Sequence, residues 1–320
     1  MSANGDFEQR GETIVKRTCF IPGVAVTVWL CFLCKPACPE ADKAGDTSAN
    51  QPRKGKTMLS VGDFEDAVLV SVDIQQMRRP KSRVKGEKLK AMKLTPTERE
   101  MGFKARDKRA ALDYFFDTAL PNAAKLAEFF RSKNIPVILV HWGYRLRDGM
   151  DLDPAVRNYF IHNFGPNPAR WGHYIDNWGS RPNVALNVQE TDYVLAKTAQ
   201  DAFTSCNIDF VLQNLGAKTL FLMGGHTNGC LFWTSKSAIA KGYRTICIED
   251  ATWDAVESTR LPGIRKVPYD LVVKTADVQE MKESVPVREE QDKQGSPARQ
   301  GPSKRHLRKR APRMKKEVIR

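Results

Sequence analysis

Thr219-Leu-Phe-Leu-Met-Gly-Gly-His-Thr-Asn-Gly-Cys230-Leu joins an apolar run of strand length to a helix through two glycines and a short polar turn. The helical run covers residues 231–241 and stops at Gly242. A strand–turn–helix junction at the carboxyl end of a parallel strand is where open α/β sheets place their sites. The first turn of a helix offers free N–H groups and the positive end of its dipole, and both favour thiolate over thiol. Cys230 is therefore a candidate nucleophile, with a small buried hydrophobe as the competing reading.

Two further residues support the first reading. Asp73 ends the apolar run Ala67-Val-Leu-Val-Ser-Val-Asp73, which reads as a buried parallel strand with a carboxylate at its tip. Lys197 lies in Tyr193-Val-Leu-Ala-Lys-Thr-Ala-Gln-Asp-Ala-Phe203. A cysteine nucleophile needs a base for its proton and a cation to orient that base, and Asp73 and Lys197 supply those chemistries if the fold gathers them. Taken singly, such an aspartate is a turn residue and such a lysine is solvated.

The order of these motifs, Asp73, then Lys197 with Phe203 six residues on, then Gly224-Gly-His-Thr-Asn-Gly-Cys230, resembles the isochorismatase-like cysteine hydrolases. That superfamily includes nicotinamidases, N-carbamoylsarcosine amidases and ureidoacrylate amidases. The similarity runs over roughly residues 58–274 and includes the closing Lys241-Gly-Tyr-Arg-Thr-Ile-Cys-Ile-Glu-Asp250-Ala. It implies a three-layer αβα sandwich with a mainly parallel sheet of about six strands. It also implies cleavage of a small-molecule amide or carbamoyl C–N bond through Cys230, Asp73 and Lys197, by way of a thioester. The resemblance places a cis peptide before the motif threonine, at His226–Thr227, and oxyanion donors at Cys230 and near Thr227. Isochorismatase-type vinyl-ether hydrolysis is the alternative reaction, and a scaffold acting through a basic tail is the non-catalytic one.

Nicotinamidase-type members hold a metal with an aspartate and histidines soon after the first strand. No histidine occurs between Asp73 and His141, and the cysteine spacing fits no zinc pattern, so no metal and no cofactor are expected. Candidates for the substrate pocket are Gln75, His141, Phe203, Trp171 and Trp178. His141 reads equally as a hydrogen-bonded structural histidine.

Strands are expected at residues 67–72, 136–141, 193–195, 219–223, 245–249 and 271–274. Helices are expected at 97–109, 112–134 with a turn near Pro121, 208–215, 231–241, and 254–261 cut short by Pro262. Apolar strands alternating with helices point to a parallel sheet covered on both faces. Residues 145–181 read as irregular and unusually aromatic, which suits a lid over a small molecule or a contact with a second subunit, with a satellite cluster packed on the sheet edge as the competing reading. A small amide-like molecule and further copies of the chain are the expected partners.

At 320 residues the chain can bury one sizeable core with appendages. The net charge is +14, of which +8 falls in residues 286–320, with twelve Lys/Arg against four Asp/Glu. A nucleic-acid-binding fold would carry its excess on periodic segments, so no specific nucleic-acid recognition is expected. The excess marks a disordered tail able to meet polyanions. Residues 21–33 are almost wholly apolar, follow Lys16 and Arg17, and precede a linker-like stretch. Residues 1–57 thus read as a signal-like leader and linker, 58–285 as the hydrolase domain, and export as the expected fate.

Overall fold

A computed structural model of the protein describes residues 58–79 and 93–289. The expected leader, most of the basic connection after Asp73 and nearly all of the basic tail lie outside the described residues.

Six strands form one sheet: β1 (Ala67–Val72), β2 (Val137–Trp142), β3 (Tyr193–Lys197), β4 (Thr219–Gly225), β5 (Arg244–Trp253) and β6 (Leu271–Val273). Their order is β3-β2-β1-β4-β5-β6, and every pairing is parallel. The expected parallel six-stranded α/β architecture is the one observed. The central strands carry apolar residues at nearly every position because both faces are covered, and their two-residue period deals alternate side chains to two cores. Leu69, Leu139, Phe221 and Ile246 enter one core with Phe115, Leu126 and Phe130. Val70, Val140, Leu222 and Val72 enter the other with Ile208, Leu212, Leu231 and Ala238.

The helices explain that division. On the first face lie α2 (Ala105–Tyr114) and α3 (Leu120–Ser132), with a short α1 (Pro96–Glu100) ahead of them. The expected turn near Pro121 is absent. A π-helical turn at Phe115–Ala119 joins α2 to α3, and Pro121 falls in the first turn of α3, where a missing N–H is tolerated. The second face is covered by α5 (Ala202–Ser205), α6 (Ile208–Asn214) and α7 (Cys230–Ala240).

Residues 145–181 are not irregular throughout, because they hold α4 (Pro154–Phe164). Asp153 caps it, accepting from Ala155 N at 2.9 Å and Val156 N at 3.1 Å, and Pro154 occupies the first helical position. Near the C-terminus, α8 (Glu257–Arg265) continues through Pro262, where a stop was expected, and α9 (Thr275–Glu280) follows β6.

Candidate active site

The strand order reverses between β1 and β4, the position where open α/β sheets bind their ligands. Asp73 leaves the tip of β1 and Cys230 begins α7 one short turn after β4. These two strands approach unusually closely at their ends. Val72 pairs with Gly224, and a Cβ on Gly224 would stand 2.0 Å from Val72 O. Gly224 also has φ +107, so only glycine fits there. Asp73 itself adopts φ +54, a left-handed conformation uncommon outside glycine and typical of functional turns.

Lys197 enters from β3, two strands from Asp73, and its Nζ reaches Asp73 Oδ2 at 3.0 Å. On the way the ammonium sits 3.6 Å from the centre of the Trp142 ring and donates to Ala199 O at 3.1 Å. Lys197 has no exposed surface. Burial alone would lower its pKa, but Asp73 and Cys230 together raise it, so it stays an ammonium. The Cys230 thiol is close enough to Asp73 and Lys197 for each of them to shift its titration. The three expected residues are thus side by side, all buried.

The helix start favours a thiolate, but the surroundings of the sulfur act against it. Burial pushes the Cys230 thiol up to about 12; Lys197 pulls it down and Asp73 raises it again. Desolvation and the neighbouring carboxylate outweigh the lysine, which favours the thiol form at rest.

Two expectations at the turn need correction. The cis peptide lies one bond earlier, at Gly225–His226. Thr227 N–H is not free for an oxyanion, because it donates to Trp253 O at 3.1 Å. His226 contributes its carbonyl, which accepts from Gly229 N at 2.9 Å and Leu231 N at 3.2 Å, and its ring stands edge-on to Trp253. Cys230 N–H, at the first position of α7, is the remaining candidate donor.

The expected pocket residues fare unevenly. His141 borders the Asp73–Lys197 pair, but its Nδ1–H donates to Trp142 O at 3.1 Å and burial lowers its pKa. Gln75 is a tie rather than a ligand contact: its Nε2 donates to Gly179 O at 2.9 Å and Ser180 O at 3.0 Å, while its Oε1 accepts from Trp142 N at 3.1 Å. Trp171 packs in a satellite core with Tyr144, Leu152, Val156 and Phe160, and its indole N–H donates to Gly165 O. Trp178 is half exposed beneath Arg78. Phe203 packs on Tyr243 and Lys241, at the opposite end of α7 from Cys230.

The segment that holds α4 brings other residues to the site instead. The imidazole of His173 stacks on Phe160 at 5.5 Å, and Phe160 packs on Trp142, the ring beneath Lys197. His173 Nδ1 is buried without a hydrogen-bond partner. Burial lowers its pKa to about 4, opposed by Asp73 and assisted by Lys197, so the ring is neutral. Tyr159 is near enough for Cys230 to raise its pKa, after burial and Glu98. The available sequence signal for these residues was the Asp-Pro helix start at 153–154, which turns a run of aromatics into an oriented face.

Comparison with known proteins agrees with this geometry. Residues 104–268, just over half of the chain, match the isochorismatase domain model. An uncharacterized isochorismatase family protein of Bacillus subtilis is 32% identical over 41% of this chain and 65% of its own length. The N-carbamoylsarcosine amidase of an Arthrobacter species is 26% identical over 51% of this chain and 58% of its own length. The chain thus spans less than two thirds of these two relatives. A probable inactive nicotinamidase of Arabidopsis thaliana is 29% identical over 52% of this chain and 82% of its own length. Among solved structures, a cysteine hydrolase from Pseudomonas syringae superposes with a TM-score of 0.51 at 17% identity, covering 72% of this chain and 97% of that one. The chain belongs to the isochorismatase family. Asp73 precedes the matched stretch, so its place beside Lys197 comes from the fold.

Proposed function

We propose that the protein is a cysteine hydrolase that cleaves an amide or carbamoyl C–N bond of a small molecule. The observation that carries this reading is the meeting of a buried thiol, carboxylate and ammonium at the strand-order reversal. The similarity to an amidase supports the choice of bond.

Asp73 takes the proton of Cys230 as the sulfur attacks the carbonyl carbon. Burial raises the thiol and so opposes a free thiolate, which favours proton transfer as the sulfur attacks. The oxyanion forms against the Cys230 N–H and the positive end of α7. Asp73 then gives its proton to the leaving nitrogen, the C–N bond breaks, and an acyl thioester remains on Cys230. A water loses a proton to Asp73 and attacks the thioester, and the departing sulfur recovers that proton. Lys197 holds Asp73 in place and balances its charge throughout. Trp142, Phe160, Tyr159 and the neutral His173 form an aromatic wall suited to a flat, uncharged group.

A panel of small primary amides and carbamoyl compounds, assayed for ammonia release, tests this reading against Cys230→Ala. Release by the native chain and its loss in the variant support the mechanism. Equal release by both would move the C–N cleavage to a cysteine-independent route, and no release by either would favour the family's other reaction, vinyl-ether hydrolysis.

A further inference from the structure

Asp254 immediately follows β5 and is 4% exposed. Its carboxylate faces the turn that carries the nucleophile. Oδ2 accepts from Thr227 Oγ1 at 2.7 Å and from Asn228 Nδ2 at 2.6 Å, while Oδ1 accepts from Ala255 N at 2.7 Å. Three donors converge on one group, so only an acceptor-only side chain satisfies them all. The turn is gripped from the other side by α8. Asn228 Nδ2 also donates to Thr259 O at 2.8 Å, and Lys266 Nζ donates to Asn228 Oδ1 at 2.7 Å. Gly263 lies against the same turn: a Cβ there would stand 2.6 Å from both Thr227 Oγ1 and Asn228 Nδ2.

These contacts stop two residues short of Cys230. The remaining links are Gly229 N and Leu231 N, both donating to His226 O. The path of the turn therefore sets where α7 begins, and with it the place of the Cys230 sulfur and N–H against Asp73 and Lys197. We propose that Asp254 is a positioning residue for the nucleophile turn, holding Thr227 and Asn228 so that Cys230 keeps its register with Asp73. The proposal deepens the cysteine-hydrolase reading above and rests on it for its kinetic consequence.

An amide at this position would turn an N–H₂ toward existing donors, so Asp254→Asn disturbs the turn with almost no change in volume. The test uses the full chain, the best-hydrolysed member of the amide panel, and iodoacetamide alkylation of Cys230 followed by intact mass. Asp254→Asn is expected to lower kcat about a hundredfold with KM within about threefold, the signature of a small misplacement of reacting groups. Its alkylation midpoint should also fall from the native value toward that of an ordinary thiol, as Cys230 moves off Asp73. Asp270→Asn is the control. Asp270 accepts from Thr245 N and Oγ1 at the opposite end of β5, so this variant should lose stability but keep kcat. Thr227→Val should reproduce the kcat loss and Thr227→Ser should largely restore it, which keeps the test decisive if Asp254 variants fold poorly. Native kcat and a native alkylation midpoint in folded Asp254→Asn, or equal kcat losses in Asp270→Asn, would overturn the proposal. A shifted midpoint in a chain that hydrolyses no amide would leave the positioning role standing and remove the hydrolase reading instead.

Discussion

Lys197 Nζ stands 3.0 Å from Asp73 Oδ2 although the two residues leave the sheet from strands separated by β2. Two strand spacings are roughly 10 Å, a span that the lysine stem and the aspartate side chain bridge between them across the face of Trp142. The ion pair is fully enclosed, so each charge depends on the other. Lys197→Met should destabilise the chain by about 3–5 kcal/mol, because it strands a buried carboxylate. Asp73→Asn combined with Lys197→Met should be more stable than Lys197→Met alone. Urea denaturation of the three variants checks this, and additive losses would contradict it.

Cys230→Ala should remove turnover, by on the order of 10⁴-fold or more, with a stability change of about 1–2 kcal/mol. Ammonia release and denaturation midpoints measure the two effects. Turnover within about tenfold of the native chain, in a folded variant, would dismiss the nucleophile.

The pH profile of alkylation separates Asp73 from Lys197. Native Cys230 should resist iodoacetamide until the pH approaches 12, the value to which burial pushes it. Asp73 raises that value and Lys197 lowers it. Asp73→Asn should therefore alkylate at lower pH than the native chain, yet fail to turn over, because the base is gone. Lys197→Met should alkylate at still higher pH. Identical profiles for all three chains would show that these residues do not act on one another.

His173 provides an acid-side prediction. Its folded pKa of about 4 lies below the ordinary imidazole value near 6.5, so the stability it contributes is complete above about pH 6.5 and is lost as the pH falls through 4. The loss is at most about 3 kcal/mol. His173→Phe should show a smaller drop in stability between pH 7 and pH 4 than the native chain. His141, lowered in the same direction, remains in the variant and keeps part of the slope. Parallel slopes would remove His173 from this account.

Gly263→Ala should reduce kcat more than it reduces stability. The added methyl meets Thr227 Oγ1, Asn228 Nδ2 and, at 2.8 Å, Thr227 O, so the turn rather than the core has to move. Comparing kcat with the thermal midpoint checks the order of the two losses.

The sheet was readable because its strands are apolar at nearly every position and end in chemically distinctive residues: Asp73, Lys197 and the glycines before Cys230. Residue-level chemistry at those strand ends was equally plain. What escaped was long-range. Gln75 and Phe203 have the composition of pocket residues, but their partners lie far away in sequence at Ser180 and Tyr243, whereas Trp171 is turned into a satellite core by a bond to Gly165 only six residues earlier. Asp254 gave no signal of its role, since the two side chains that donate to it come from a turn 26 and 27 residues earlier. The upward shift of the Cys230 thiol was hidden for a related reason. Helix position is written in the sequence, whereas burial is the sum of everything packed around the sulfur.

That same shift has a consequence for the durability of the protein. Peroxides and disulfides react with thiolates, in proportion to how much thiolate is present and how freely it is reached. Cys230 is 8% exposed, and burial pushes its thiol up to about 12. A buried thiol of this kind should therefore be oxidised more slowly than an open, permanently ionised cysteine, and hydrogen peroxide inactivation rates measured with and without urea would show the difference.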